Sequence, residues 1–203
     1  MKRRTFTPSQ IRYLRERAED QYENMRGSRA FRNAEFLLYI AIVVLMALAI
    51  RSFIAEPIRV DGDSMVPTLT NNEDMLVEKV SYWFSDPMRG DIVICYYPGY
   101  TESCVKRVIG LQGETVSISD GAIYINGALL DESAYWQGEI IGDMDPVTVG
   151  EREVFVVGDN RNGSKDSRNP SVGCIPYSKV VGRVVAVVWP FSEHESFGRV
   201  VYN

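Results

Sequence analysis

Histidine is nearly missing from this chain. Its 203 residues contain one, His194, in a polar Ser-Glu-His-Glu run near the C-terminus. A Ser-His-Asp triad would have to use it, and that setting argues against one. Cysteine is scarce too. Cys95, Cys104 and Cys174 are too few for a disulfide scaffold and too widely spaced for a zinc site. No cluster of ligand-type residues implies a metal or an organic cofactor. There is no surplus of positive charge: 22 Lys/Arg stand against 27 Asp/Glu, a net charge of −5. Nothing therefore draws the whole chain to nucleic acid. Internal repeats and low-complexity tracts are absent, and beyond residue 55 no segment carries a long helical period.

What is present is unevenly distributed. Residues 1–34 hold nine Lys/Arg against four Asp/Glu, and the remainder holds 13 against 23. Thr7-Pro8-Ser9 reads as a helix start, with proline early in the helix. It predicts a charged helix to about Asn24; a solvated tail is the alternative. Arg26, Arg29 and Arg32 are placed to meet anionic lipid heads. Residues 36–50 form an unbroken apolar run, shorter than the ~20 residues a spanning helix needs. Arg51 can snorkel, and Phe53-Ile54-Ala55 extend the run until Glu56-Pro57 ends it. A cleaved signal peptide is the competing reading. The long N-terminal region and the poor cleavage site around Arg51 and Glu56-Pro57 favour an uncleaved anchor. The division expected is a cytoplasmic tail over 1–34, a transmembrane helix over 35–55 and an extracytoplasmic domain over 56–203. The N-terminal excess of arginine, with only Arg51 and Arg59 just past the span, sets that orientation.

The exterior part reads as mainly β. Strands are predicted around residues 75–80, 91–97, 105–110, 115–118, 122–125, 129–130, 153–157 and 180–189. Asp120-Gly121 and Asn126-Gly127 are strong two-residue hairpin turns. Cys95 and Cys104 flank a hairpin loop. They are either a bridge, in an oxidising compartment, or free core thiols.

Four islands carry the chemistry. The first is Val60–Leu69, V-D-G-D-S-M-V-P-T-L, where Gly62 and Pro67 frame Ser64 in a stiff turn. The second is Arg89-Gly90-Asp91-Ile92-Val93, and the third is Lys106-Arg107-Val108-Ile109-Gly110. The fourth is Gly158-Asp159-Asn160-Arg161, continuing to Ser164-Lys165-Asp166-Ser167-Arg168. Each alone is ordinary loop or strand material. In this order, behind an N-terminal anchor, and with Val187-Val188-Trp189-Pro190-Phe191 near the end, they resemble type I signal peptidase. That family comprises the membrane-bound serine proteases that remove signal peptides, and the compact length resembles its Gram-positive-type members. The resemblance implies a signal-peptidase/LexA-like β-barrel-type catalytic domain.

Serine is a poor nucleophile until a base takes its proton. Where no histidine serves, a lysine can, provided burial lowers its pKa from ~10.4 to roughly 7–8. Lys106 lies among apolar strand residues that can bury it, with Arg107 on the opposite strand face. An exposed strand lysine is the ordinary alternative. The resemblance implies Ser64 as nucleophile and Lys106 as general base. It also implies Ser164 as the hydroxyl that orients the lysine, and Asp166 and Arg168 as an acidic and basic support. Asp159 is placed to pair with Arg107. The Ser64 N–H is the first oxyanion donor. A second donor used by some family members, a hydroxyl two residues before the nucleophile, is replaced here by Gly62. Ser103-Cys104-Val105-Lys106 also reads S-x-x-K, but it sits on a predicted strand and lacks the S-D-N and K-T-G companions of β-lactamases.

The substrates implied are signal peptides with small residues, Ala-X-Ala in type, at −1 and −3. They would pair along a strand edge beside two shallow apolar pockets. Val60, Met65, Met75, Ile94 and Val105 are the expected walls, with ordinary core packing the alternative for each. Ser64 lies 14 residues past Ile50, a tether of under about 50 Å. That keeps the site near the outer membrane–water interface. Trp83-Phe84 either dips into that interface or packs in the core. Two other readings remain: a self-cleaving Ser–Lys regulator of the LexA type, and an inactive anchored β domain that binds an exported partner.

Overall fold

A computed structural model describes residues 7–191 and 195–197. His194 lies outside the described residues. The chain divides into two units, Met1–Ala49 and Ile50–Asn203.

The first unit is helical. α1 runs Pro8–Gly27, past the Asn24 limit expected. Thr7 and Gln10 cap its start reciprocally: the Thr7 N–H donates to Gln10 Oε1 at 3.0 Å and the Gln10 N–H to Thr7 Oγ1 at 3.4 Å. α2 runs Arg29–Ala49 and has no buried residue. Ser28 Oγ caps it by accepting from the Phe31 N–H at 3.1 Å. Helical backbone continues through a π-helical turn, Ile50–Ile54. The 26-residue stretch Arg29–Ile54 contains an 18-residue window of mean hydropathy 2.5. At 1.5 Å per residue it is about 39 Å long, enough to cross a hydrocarbon core of about 30 Å.

The second unit is mainly β. Its elements are β1 (Ala55–Arg59), β2 (Asp74–Glu78), α3 (Ser81–Phe84), β3 (Ile92–Tyr96), β4 (Ser103–Gly110) and β5 (Thr115–Ser119). There follow β6 (Ala122–Ile125), β7 (Ala128–Leu129), β8 (Met144–Thr148), β9 (Glu153–Val157), β10 (Ile175–Pro176), β11 (Val180–Trp189) and β12 (Glu195–Ser196). One antiparallel sheet has the order β1-β2-β11-β3-β4-β9-β10, with β12 added on β11; a second has the order β7-β6-β5-β8. The large sheet curls into a half-barrel rather than closing. Register shifts in β11 and between β4 and β9 supply the local bends.

The predicted hairpins form as written. Asp120-Gly121 and Asn126-Gly127 have φ of 50°, 75°, 52° and 81°, the paired positive values of a tight two-residue turn. The strands that sequence patterning passed over are instructive. Glu56-Pro57 does not simply end the span: both lie inside β1. β8 contains Pro146 and β10 ends in Pro176. All three proline-bearing strands are at the end of a sheet order, where one side needs no N–H donor.

Two features of this fold place the site. The first five residues of β4 pair with β3, from Tyr96↔Ser103 to Ile92↔Arg107. Among the described residues its pairing with β9 begins only at Arg107↔Val157. The segment Ser103–Lys106 therefore keeps one open edge. The second feature is an apolar cluster of Val60, Met65, Leu69, Met75, Val77, Ile92, Ile94, Val184 and Val187, against which Val105 packs. It anchors the turn that carries Ser64 through the buried side chains on either side of that residue, Val60 and Met65.

Candidate active site

Ser64 sits on an irregular turn held by its own backbone and by a distant loop. Gly62, at φ +97°, takes a conformation that L side chains rarely adopt. The Val66 N–H donates to the Asp63 carbonyl at 3.2 Å and the Leu69 N–H to the Met65 carbonyl at 3.0 Å. Asn160 fastens the turn from across the chain: its N–H donates to the Ser64 carbonyl at 3.1 Å and its Nδ2 to the Asp63 carbonyl at 3.0 Å. Among the described residues the Ser64 N–H has no acceptor, so it is available to a ligand.

Lys106 approaches from β4. Its Nζ is 2.7 Å from Ser64 Oγ and 2.7 Å from the Val105 carbonyl oxygen. The residue is 3% exposed. Burial pushes its pKa below the ordinary lysine value, against the opposing pull of Cys104, Asp166, Cys95 and Asp159. The alternative of a solvent-exposed strand lysine is excluded.

Arg107, one residue on, turns to the other face as strand alternation requires. Its guanidinium forks onto Asp159, Nε to Oδ1 at 2.8 Å and Nη2 to Oδ2 at 2.6 Å, with both residues buried. Nη1 donates to the Gly90 carbonyl at 3.0 Å. The Thr68 hydroxyl donates to Asp159 Oδ2 at 2.6 Å. Tyr135 lies with its ring centroid 4.0 Å from the guanidinium carbon. The pair thus ties all four islands together: β4, the Ser64 turn, the Arg89–Val93 segment through Gly90, and the loop after β9. The bidentate geometry is specific, and loss of either partner would leave a buried charge unmatched.

The loop after β9 behaves differently from what its resemblance implied. Ser164 does not reach Lys106. Its Oγ is buried and has no hydrogen-bond partner among the described residues. The Val105 carbonyl takes the place expected of it as the amine's second partner. The position of Ser164 is nonetheless tight. A Cβ on Gly158 would run into Ser164 Oγ and the Ser64 carbonyl oxygen, so only glycine fits there. Asp166 accepts from the Gly158 N–H at 2.9 Å and is forked by Arg168 at 2.7 and 2.8 Å. It fixes the backbone of the loop rather than the lysine.

Of the expected pocket walls, Val60, Met65, Met75 and Ile94 are at most 3% exposed. They belong to one buried apolar cluster, which is the ordinary core packing given as the alternative to pocket walls. Val105 is the one of the five that presents surface. Sequence reading missed Thr68, Asn160, Glu132 and Tyr135. Glu132 accepts from the buried Arg161 Nη1 at 2.7 Å. Thr68, Asn160 and Arg161 lay inside quoted motifs; nothing in the sequence marked Glu132 or Tyr135.

Residues 33–189 match the family described as signal peptidase, peptidase S26. The chain belongs to that family. It is 39% identical over 167 residues to signal peptidase I of Leptolyngbya laminosa, covering 78% of this chain and 81% of that protein. To signal peptidase I T of Bacillus subtilis (strain 168) it is 40% identical over 163 residues, covering 76% and 84%. A crystal structure of a signal peptidase I from Enterococcus faecalis V583 aligns with 49% of this chain and 97% of its own, at TM-score 0.40 and 35% identity. The chain is a serine protease of the bacterial type I signal peptidase kind, a hydrolase that removes signal peptides.

Proposed function

We propose that this signal peptidase is a membrane-anchored endopeptidase using Ser64 as nucleophile and Lys106 as general base, with no metal or organic cofactor. The observation that carries the reading is the 2.7 Å approach of a desolvated lysine amine to the Ser64 hydroxyl. A neutral amine has two N–H donors and one lone pair. Giving one N–H to the Val105 carbonyl aims the lone pair at the Ser64 O–H. Lys106 takes that proton as Ser64 Oγ attacks the scissile carbonyl. The Ser64 N–H meets the oxyanion that develops. The ammonium then protonates the departing amine, leaving an acyl-enzyme. A water, deprotonated by Lys106, releases the signal peptide.

The substrate lies along the open edge of Ser103–Lys106, pairing by backbone hydrogen bonds. The small side chains expected at −1 and −3 would sit beside Val105, the one expected wall residue that presents surface. The Arg29–Ile54 helix is the anchor, and the basic N-terminal flank keeps that end in the cytoplasm, with the β unit outside. The apolar Arg29–Ile54 helix argues against a self-cleaving LexA-type regulator. The Lys106–Ser64 contact argues against an inactive binding domain.

Cleavage of a detergent-solubilised preprotein tests the reading. Ser64→Ala is expected to abolish it, and Lys106→Ala to lower it by roughly 10²–10⁴-fold. Activity equal to wild type in either variant would end the proposal.

A further inference from the structure

Two of the chain's three cysteines stand opposite one another beside the site. Cys95 on β3 and Cys104 on β4 are register partners across an antiparallel pair. Their sulfurs are 3.5 Å apart as free thiols. Directly opposed residues of such a pair have Cα separations of about 4.5–5.5 Å, within the range a disulfide spans. The two differ in access. Cys95 is fully buried, whereas Cys104 is half-buried on the stretch of β4 whose outer edge is open. Cys104 is also two residues from Lys106, so both side chains point to one face of β4.

We propose that Cys95 and Cys104 are a redox pair that closes a reversible cross-strand disulfide next to the Lys106 amine, by exchange with an oxidised low-molecular-weight thiol or a Cys-x-x-Cys oxidoreductase. The Cys104 thiolate attacks one sulfur of the donor disulfide and expels the other as a thiolate. Cys95 then loses its proton, attacks Cys104 Sγ and displaces the remaining donor sulfur. The two protein thiols give up two electrons and two protons, and the donor becomes two thiols. Access and acidity agree on the order of events. Cys104 is drawn down to about 7 by its hydrogen bond with Cys95 and by Lys106, while that same hydrogen bond and burial push Cys95 up.

The bond has a consequence for the amine, which rests on Lys106 being the base. Lys106 is faced by Cys95 from β3, Cys104 from its own strand, Asp159 and Asp166 from the loop after β9, and Ser64 from the turn. Tyr97 and Asp166 also face Cys104. A thiolate at Cys104 favours the ammonium and so opposes the neutral base; a disulfide carries no charge. Oxidation therefore moves the rising limb of the pH–activity profile to lower pH.

The full-length enzyme in detergent is equilibrated in glutathione buffers of increasing oxidised fraction, then thiol-blocked and weighed. The expected result is a protein lighter by two hydrogens, with one blockable thiol, Cys174, and a peptide joining Cys95 to Cys104. Cys95→Ser is expected to stop at a glutathione adduct on Cys104. Three blockable thiols at every glutathione ratio, or an adduct on wild-type Cys104 that never resolves, would overturn the pair. The same measurement on Ser64→Ala needs no catalysis, so it separates failure of this inference from failure of the catalytic reading. Preprotein cleavage against pH, compared between oxidised enzyme, reduced enzyme and Cys104→Ala, tests the coupling. The oxidised and Cys104→Ala profiles are expected to coincide at lower pH than the reduced one; three coincident profiles would remove the link to Lys106.

Discussion

At the scale of residues, a buried lysine is a liability that the proposed function explains. The linkage has a definite sign. The folded pKa of Lys106 lies below the ordinary value of 10.5, so between the two the unfolded chain holds a proton that the folded one does not. In that window stability rises with pH, and at neutral pH the amine costs the fold free energy. Lys106→Met is therefore expected to gain thermal stability relative to wild type at neutral pH, and the gain should shrink as pH climbs towards 10.5. Melting curves across that range check it; a difference independent of pH would contradict burial of an uncharged amine. Gly158 makes a second residue-level case. Gly158→Ala puts a methyl against Ser164 Oγ and the Ser64 carbonyl. Overpacking of this kind costs about 1–3 kcal/mol. It should cut preprotein cleavage far more than it lowers the melting temperature, because the displaced atom belongs to the Ser64 turn. Ser64, Lys106, Arg107 and Asp159 were legible because each sits in a short motif whose residue types suit one chemistry. The orientation of Ser164 was not: a motif places a hydroxyl in a loop, and packing decides where it points. Thr68 and Asp159 are 91 positions apart, a contact that no local pattern announces.

At the scale of elements, the site is a junction of β4, the Ser64 turn and the loop after β9, clamped by one buried ion pair. Asp159→Ala would leave Arg107 charged, desolvated and unmatched on its carboxylate side. The expected cost is about 3–5 kcal/mol, read by urea or thermal unfolding. A loss under about 1 kcal/mol would show the pair to be no more than a surface bridge. Most strands were visible in the sequence because alternating β-branched residues and Asp-Gly or Asn-Gly turns set their limits. β1, β8 and β10 were hidden because each contains proline, which patterning discounts and an edge position tolerates. β4 joins both lessons. Its residues announced a strand, but only the pairing shows that its first half is open on one side beside the Lys106–Ser64 contact.

At the scale of the whole molecule, a helical unit with a long apolar stretch precedes a β unit that carries the chemistry. Trp83 and Phe84, for which core packing was the alternative, are 59% and 85% exposed on α3. Aromatic side chains in that position suit a membrane–water interface. Trp83→Ser with Phe84→Ser should lower cleavage of a preprotein reconstituted with the enzyme in lipid vesicles, while leaving cleavage of a short soluble peptide in detergent within about twofold. Equal cleavage in vesicles would assign those side chains another purpose. The proposed function rests on one amine that must be uncharged when substrate arrives. The chain has five lysines, so NMR of protein with isotope-labelled lysine side chains can follow each, with Lys106→Met identifying the signal. Titration of the Lys106 amine well below the other four is the predicted result. Titration alongside them, at the ordinary lysine value, would contradict it.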